Sequence, residues 1–123
     1  MTDKRADTYN LYLSAWSKIS DSEREDRLNR SVVENIVFRN AMQNRSGIRD
    51  LIDHLEVFQA RSSGGSFRMN WMLGFGTDYL VEWQLVDAEG KAGFTGFDAL
   101  TFNDKGSIET IVLWSNLEKQ KLA

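Results

Sequence analysis

The chain contains no cysteine and only one histidine among its 123 residues. Without cysteine there is no disulfide framework and no thiol chemistry. A zinc site lacks ligands, and no metal or cofactor is expected. No apolar run approaches the ~20 residues that a membrane-spanning helix needs. The opening residues, MTDKRADTYN, are polar and do not read as a secretory signal. The expected location is therefore the cytoplasm, with no membrane partner. Positive charge is not in excess: 15 Lys and Arg stand against 18 Asp and Glu, a net charge of −3. Nothing gathers cations into a footprint, which argues against nucleic-acid binding.

What is present is ordinary for a globular protein, with 41% apolar and 27% charged residues. The length fits one domain over residues 1–123, large enough for a real core. The most informative stretch is 92–116, AGFTGFDALTFNDKGSIETIVLWSN. Asn103, Asp104, Lys105 and Gly106 mark a tight turn, with Gly106 where φ must be positive. The flanks are β-branched and aromatic, so two strands are predicted. Alternation puts Gly96, Asp98, Leu100 and Phe102 on one face and Phe97, Ala99 and Thr101 on the other. Neither face is polar along its length, so both need cover. Helices of the same chain can cover one. A second copy of the chain covers the other most simply, so a homodimer is expected.

Upstream, residues 3–19 carry Tyr9, Tyr12, Leu13, Trp16 and Ile19 at helical spacing. Ser20 with Glu23 reads as a capping box opening a second, highly charged helix to about Arg30. Leu28 is its main apolar anchor; it reads as a peripheral lid with a solvated charged face. Residues 32–40 turn β-branched and hold a short strand near their end. Residues 43–47 read as a loop, with Ser46 the N-cap of a third helix buried through Ile48, Leu51, Ile52, Leu55 and Phe58. After the breaker at 61–65, alternating strands run from Phe67 to Phe75 and from Tyr79 to Leu85. Helices segregated to one side of an antiparallel sheet make the class α+β.

This order of elements resembles the nuclear-transport-factor-2-like fold, in its SnoaL-like and ketosteroid isomerase-like branch. The likeness covers nearly the whole chain and is most specific at GFDALTFNDKGSI followed by Trp114 and Ser115. It implies a cone-shaped barrel: a curved antiparallel sheet with three N-terminal helices on its concave side. It also implies a hydrophobic pocket for an apolar small molecule, used by an isomerase, cyclase or dehydratase, or by a non-catalytic binding or interaction domain. Asp98 is similar to the acid of that family's oxyanion hole, and Tyr12, within YLSAW, to its tyrosine. The family's general base is an Asp that usually precedes Pro. Here the matching position is Asn40, whose amide has no basic lone pair of useful pKa.

The residues themselves leave two readings of Asp98 open. Among apolar neighbours a carboxyl is desolvated, shifts towards its neutral form and can donate alongside a phenol to one ligand oxygen. Alternatively it is ionised and paired, with Tyr12 packing in the core. His54 reads as a boundary residue beside the third helix's buried stripe, and as a substitute general base in second place. Glu82 lies opposite Trp83 on its strand and reads as solvated.

Overall fold

The computed structural model describes residues 4–115. Three helices, α1 (Lys4–Ser14), α2 (Asp21–Asn29) and α3 (Ile48–Arg61), accompany six strands. These are β1 (Val32–Arg39), β2 (Asn44–Ser46), β3 (Ser66–Phe75), β4 (Asp78–Val86), β5 (Ala92–Phe102) and β6 (Ile108–Ser115). They form one curved sheet in the order β2-β1-β6-β5-β4-β3, with the helices on its concave side. The helices and the sheet bury one common core.

The sheet differs from the expectation in two ways. It is mixed, because β1 runs parallel to β6 while every other pair is antiparallel. It is also open rather than a closed barrel, ending at β2 and β3. Side-chain alternation reports which face is buried and is blind to strand direction, so the pattern could not tell a parallel neighbour from an antiparallel one.

Local chemistry explains the other differences. Helix α1 stops at Ser14, short of Ile19, because bonds from Ala15, Trp16 and Ser17 back to Tyr12, Leu13 and Ser14 tighten its last turn. Its predicted start at Asp3 lies outside the described residues, as does the hairpin's end at Asn116. Ser20 caps α2, accepting from the Glu23 N–H at 3.2 Å. The charged face of α2 is not wholly solvated: Arg24 is buried, donating to the carbonyls of Ala15 and Ser17 at 2.9 Å each. It thus satisfies backbone acceptors that the end of α1 leaves open. The predicted loop at 43–47 contains β2, whose Asn44–Ser46 pair with Arg39–Val37. Gly47, at φ 88°, rather than Ser46, occupies the N-cap of α3. The Ser46 N–H is taken by Asp50 instead, at 3.0 Å.

Register assigns the inner face row by row. Met72, Val81, Asp98 and Leu113 form one row, and Met69, Trp83, Gly96 and Ser115 the next. The Trp83 ring lies across Gly96, and a Cβ there would overlap both the ring and the Trp114 carbonyl. Gly96→Ala is therefore expected to lower stability by about 1–3 kcal/mol or more, the usual range for overpacking. Urea denaturation of the variant checks this, and an unchanged midpoint would contradict the close approach.

Candidate functional site

The inner face of β5 carries one acid in an apolar setting. Asp98 is 1% exposed, between Val81 and Leu113 in the sheet. Its Oδ2 accepts from the Tyr9 hydroxyl at 2.7 Å. Its Oδ1 has no partner. Burial pushes the carboxyl pKa up to about 7, against the smaller opposing effects of the Tyr9 bond and the Trp83 indole. The Trp83 N–H comes near enough to favour the carboxylate, yet makes no hydrogen bond of acceptable geometry and stays buried and unpartnered.

The tyrosine bonded to Asp98 is Tyr9. Tyr12 is fully buried nearby, and its hydroxyl has no partner. The two rings pack 5.8 Å apart. Both phenols are raised well above their ordinary pKa, first by burial and then by the neighbouring Asp98. Three- and four-residue spacing put Tyr9 and Tyr12 on one stripe and could not say which reaches the acid. Trp83 carried a weaker signal: alternation put it on the inner face, and Gly96 lies opposite.

Beside Asp98 lies a cavity of about 10 Å³ lined by Leu13, Trp16, Phe67, Trp83, Asp98 and Leu113. That is room for about one water centre, far below the ~300–1,000 Å³ of typical ligand sites. Aromatic packing keeps it small. The Trp16 ring sits 5.1–6.5 Å from Tyr12, Phe38, His54, Phe58 and Phe67.

Of the four candidates from the sequence, Asp98 lines this cavity, and Tyr12, Asn40 and His54 do not. The Asn40 Oδ1 accepts from the N–H groups of Met42 and Gln43, each at 2.9 Å, and so serves its own turn. It borders a separate open groove with Arg39, Asn44 and Trp114. His54 packs against Trp16 and Phe38, its Nδ1 buried without a partner. Burial and then Arg45 lower its pKa, against Asp50. Glu82, on the outer face, accepts from Asn70 at 2.9 Å. Among the described residues no cluster of acids and histidine could hold a metal, and no helix is long and apolar enough to cross a membrane.

The buried acid makes a signed prediction. In the unfolded chain Asp98 titrates near its ordinary 3.8, but in the fold near 7. Between those values the folded state holds the extra proton, so stability falls as pH rises from about 4 to about 7, by on the order of 4 kcal/mol. His54 acts oppositely: with its folded pKa lowered, its contribution is present above pH 6.5 and lost on acidification. Asp98→Asn is expected to remove the decline towards neutral pH and leave the acid-side loss. Urea midpoints measured from pH 4 to 8 test this, and parallel curves for parent and variant would refute a neutral Asp98.

No protein-family profile matches the sequence, and no curated protein does. Solved structures do match. One is a SnoaL-like family protein from Agrobacterium tumefaciens, named as a candidate isomerase: 19% identical, covering 93% of this chain and 99% of that one, TM-score 0.83. Another is a nuclear-transport-factor-2-like protein of unknown function from Cytophaga hutchinsonii: 14% identical, covering 94% and 93%, TM-score 0.67. A third, from Kribbella flavida, is named as a candidate ketosteroid isomerase: 13% identical, covering 99% and 84%, TM-score 0.68. With identities this low and coverage this full, the likeness establishes architecture: the chain has the nuclear-transport-factor-2-like fold.

Proposed function

We propose that the protein binds an apolar small molecule inside the cone, against Asp98, as a member of the SnoaL-like, ketosteroid isomerase-like branch. The observation that carries this reading is a fully buried carboxyl with one oxygen unpartnered beside an aromatic-lined cavity. Leaving a buried polar atom unsatisfied costs about 1–3 kcal/mol, and a ligand oxygen would relieve it. A neutral Asp98 donates such a bond and strengthens it as the ligand oxygen gains charge. That is the electrophilic half of an isomerase, cyclase or dehydratase. The Asn40 position supplies no base, and its amide is committed to a turn. Catalysis by proton abstraction would need another group, and His54, neutral with a buried unpartnered Nδ1, is the candidate.

Because the cavity holds only about 10 Å³, a ligand must displace lining side chains. Leu113→Ala removes bulk directly beside Asp98. It should tighten binding of 2-naphthol several-fold, read by quenching of tryptophan fluorescence. Asp98→Ala should weaken binding about ten-fold, and Asn40→Asp, outside the cavity, should leave it unchanged. If Leu113→Ala and Asp98→Ala both leave affinity at the parent value, the ligand site lies elsewhere.

The outer face supports a homodimer. Arg39, Val112, Ala99, Leu80 and Leu73 form one outward row, and Trp114, Phe97, Glu82 and Trp71 the next. Trp114 is 57% and Leu73 61% exposed. Soluble monomers rarely leave more than a few hundred Å² of contiguous apolar surface. A two-fold axis along β5 would bring Arg39 of each copy towards Asp78 and Glu82 of the other, so charge complements the apolar centre. Sedimentation at micromolar concentration should give a dimer that Trp114→Glu converts to monomer. A monomeric parent would exclude it.

A further inference from the structure

We propose that His54 is an acid-released latch on Trp16, a ring that keeps the interior cavity small. Once protonated, its imidazole leaves the aromatic cluster for the Asp50 carboxylate one helical turn earlier, and Trp16 gains room to rotate. The inference rests on the ligand-pocket reading only where it concerns ligand entry.

The latch is a packing contact with a weak point. His54, on α3, meets Trp16 at 5.6 Å and Phe38 at 5.0 Å between ring centres. Of the rings packed around Trp16, it alone ionises near neutral pH. Its Nδ1 is buried with no partner. A neutral imidazole can leave one nitrogen as a bare acceptor, but the cation carries an N–H on both. Where Nδ1 sits, that N–H finds nothing to accept it. Burial therefore disfavours the cation there and lowers the pKa from its ordinary 6.5.

The receiving group is already in place. Asp50 precedes His54 by one turn on the same face of α3. Helical side chains lean towards the N-terminus, so His54 lies over the turn that carries Asp50. The Asp50 carboxylate accepts from Arg45 Nη1 on Oδ1 and from the Ser46 N–H on Oδ2, each at 3.0 Å. These bonds lower its pKa from 3.8 and keep it ionised throughout the range where His54 titrates. They also leave about half of its lone-pair positions open. It is 39% exposed, so a cation that reaches it regains water as well as a partner.

The other charges around the ring do not hold a buried cation in place. Arg45, on β2, opposes it, and Asp50 favours it. Asp53 and Glu56, on α3, are exposed. Helix α2 meets α3 through Glu25 and Arg49, which pair with each other at 3.8 Å. Phe38 and Trp16 carry no charge. Asp98 lines the cavity with Trp16, and His54 does not line it. Asp50 is thus the carboxylate that draws the protonated ring.

The chain has one histidine, so its imidazole signal is identified by residue type alone. Trp16 is followed by ¹⁹F NMR of protein carrying 5-fluorotryptophan, with its line identified by Trp16→Phe. Between pH 6.5 and 4.5 that line should shift with the same midpoint as His54. It should do so in the parent and in Asp98→Asn, which removes the Asp98 step near pH 7. Asp50→Asn should lower the His54 midpoint and shrink the Trp16 shift, and His54→Gln should abolish it. Association of 2-naphthol with the parent should quicken about three-fold over the same range, as the open fraction grows, and stay constant in His54→Gln. A Trp16 line that ignores the His54 titration in the parent overturns the latch, and this readout needs no variant at position 54. A line that still moves in His54→Gln overturns it too. If the line shifts as expected but 2-naphthol binds at no pH, the latch stands and the pocket reading falls.

Discussion

The 2.7 Å bond from Tyr9 to Asp98 joins the first helix to the central hairpin, and the inner architecture is arranged around it. A carboxyl cannot sit between Val81 and Leu113 without either a partner or a proton. Here it has one partner and a strong tendency to keep its proton. The bond therefore fixes how α1 lies over β5, since Tyr9 must reach the acid. Tyr12 and Leu13 follow Tyr9 into the core on the same helix. The position of Trp16, just past the helix end, follows in turn. This polar contact thus agrees with the placement of the apolar groups that line the cavity, and its geometry leaves the other carboxyl oxygen unpartnered.

The parts of this arrangement that were legible in the sequence are those governed by local rules. The turn after Phe102 is an example. Asn103 Oδ1 accepts from the N–H groups of Lys105 and Ser107, and Gly106 takes φ 86°, as those residue types require. The inward set on β5 is another, because alternation is a property of the strand alone. The misses share a cause: each depends on how one element is placed against another, which periodicity and capping rules do not give. Arg24 looks like one more charge on a polar helix until the carbonyls of Ala15 and Ser17 are placed beside it. Asn44–Ser46 look like a loop until Arg39–Val37 offer an edge to pair with. Tyr9 and Tyr12 are equivalent by spacing, and only the angle at which α1 crosses the sheet separates them.

Strand β5 shows how one short sequence can carry two demands. Its inner residues, Gly96, Asp98, Leu100 and Phe102, are buried in the monomer. Its outer ones, Phe97, Ala99 and Thr101, are half-covered and as apolar as a core. The cross-strand bond between Thr101 and Thr110, at 2.6 Å, satisfies the hydroxyls on that outer face without water. A surface prepared in this way is suited to lose its solvent. The period of two keeps the demands independent, so outer residues can be tuned for association without touching the acid.

The small size of the cavity raises the question of what could move, and the hydrogen bonds narrow the answer. The backbone around Trp16 is held on several sides. Arg24 takes the carbonyls of Ala15 and Ser17, Arg27 reaches Ser14 at 3.3 Å, and Gln59 takes the Trp16 carbonyl at 2.6 Å. Gln59 also bonds the Gly65 carbonyl at 2.8 Å, tying this turn to the start of β3. Displacing the main chain would break several bonds at once, two of them from a buried guanidinium. The Trp16 side chain is held differently, by ring contacts and by an indole that comes near the Tyr12 hydroxyl. It stands beyond the last residue of α1, so its rotation leaves the helix intact. Ring contacts of this kind are worth about 0.5–1.5 kcal/mol each beyond the area they bury, and a ligand's own ring can replace them. A flat apolar ligand would therefore restore much of what opening removes, while a small polar one would restore little. The same rings that keep the cavity small would set the kind of molecule that can enlarge it.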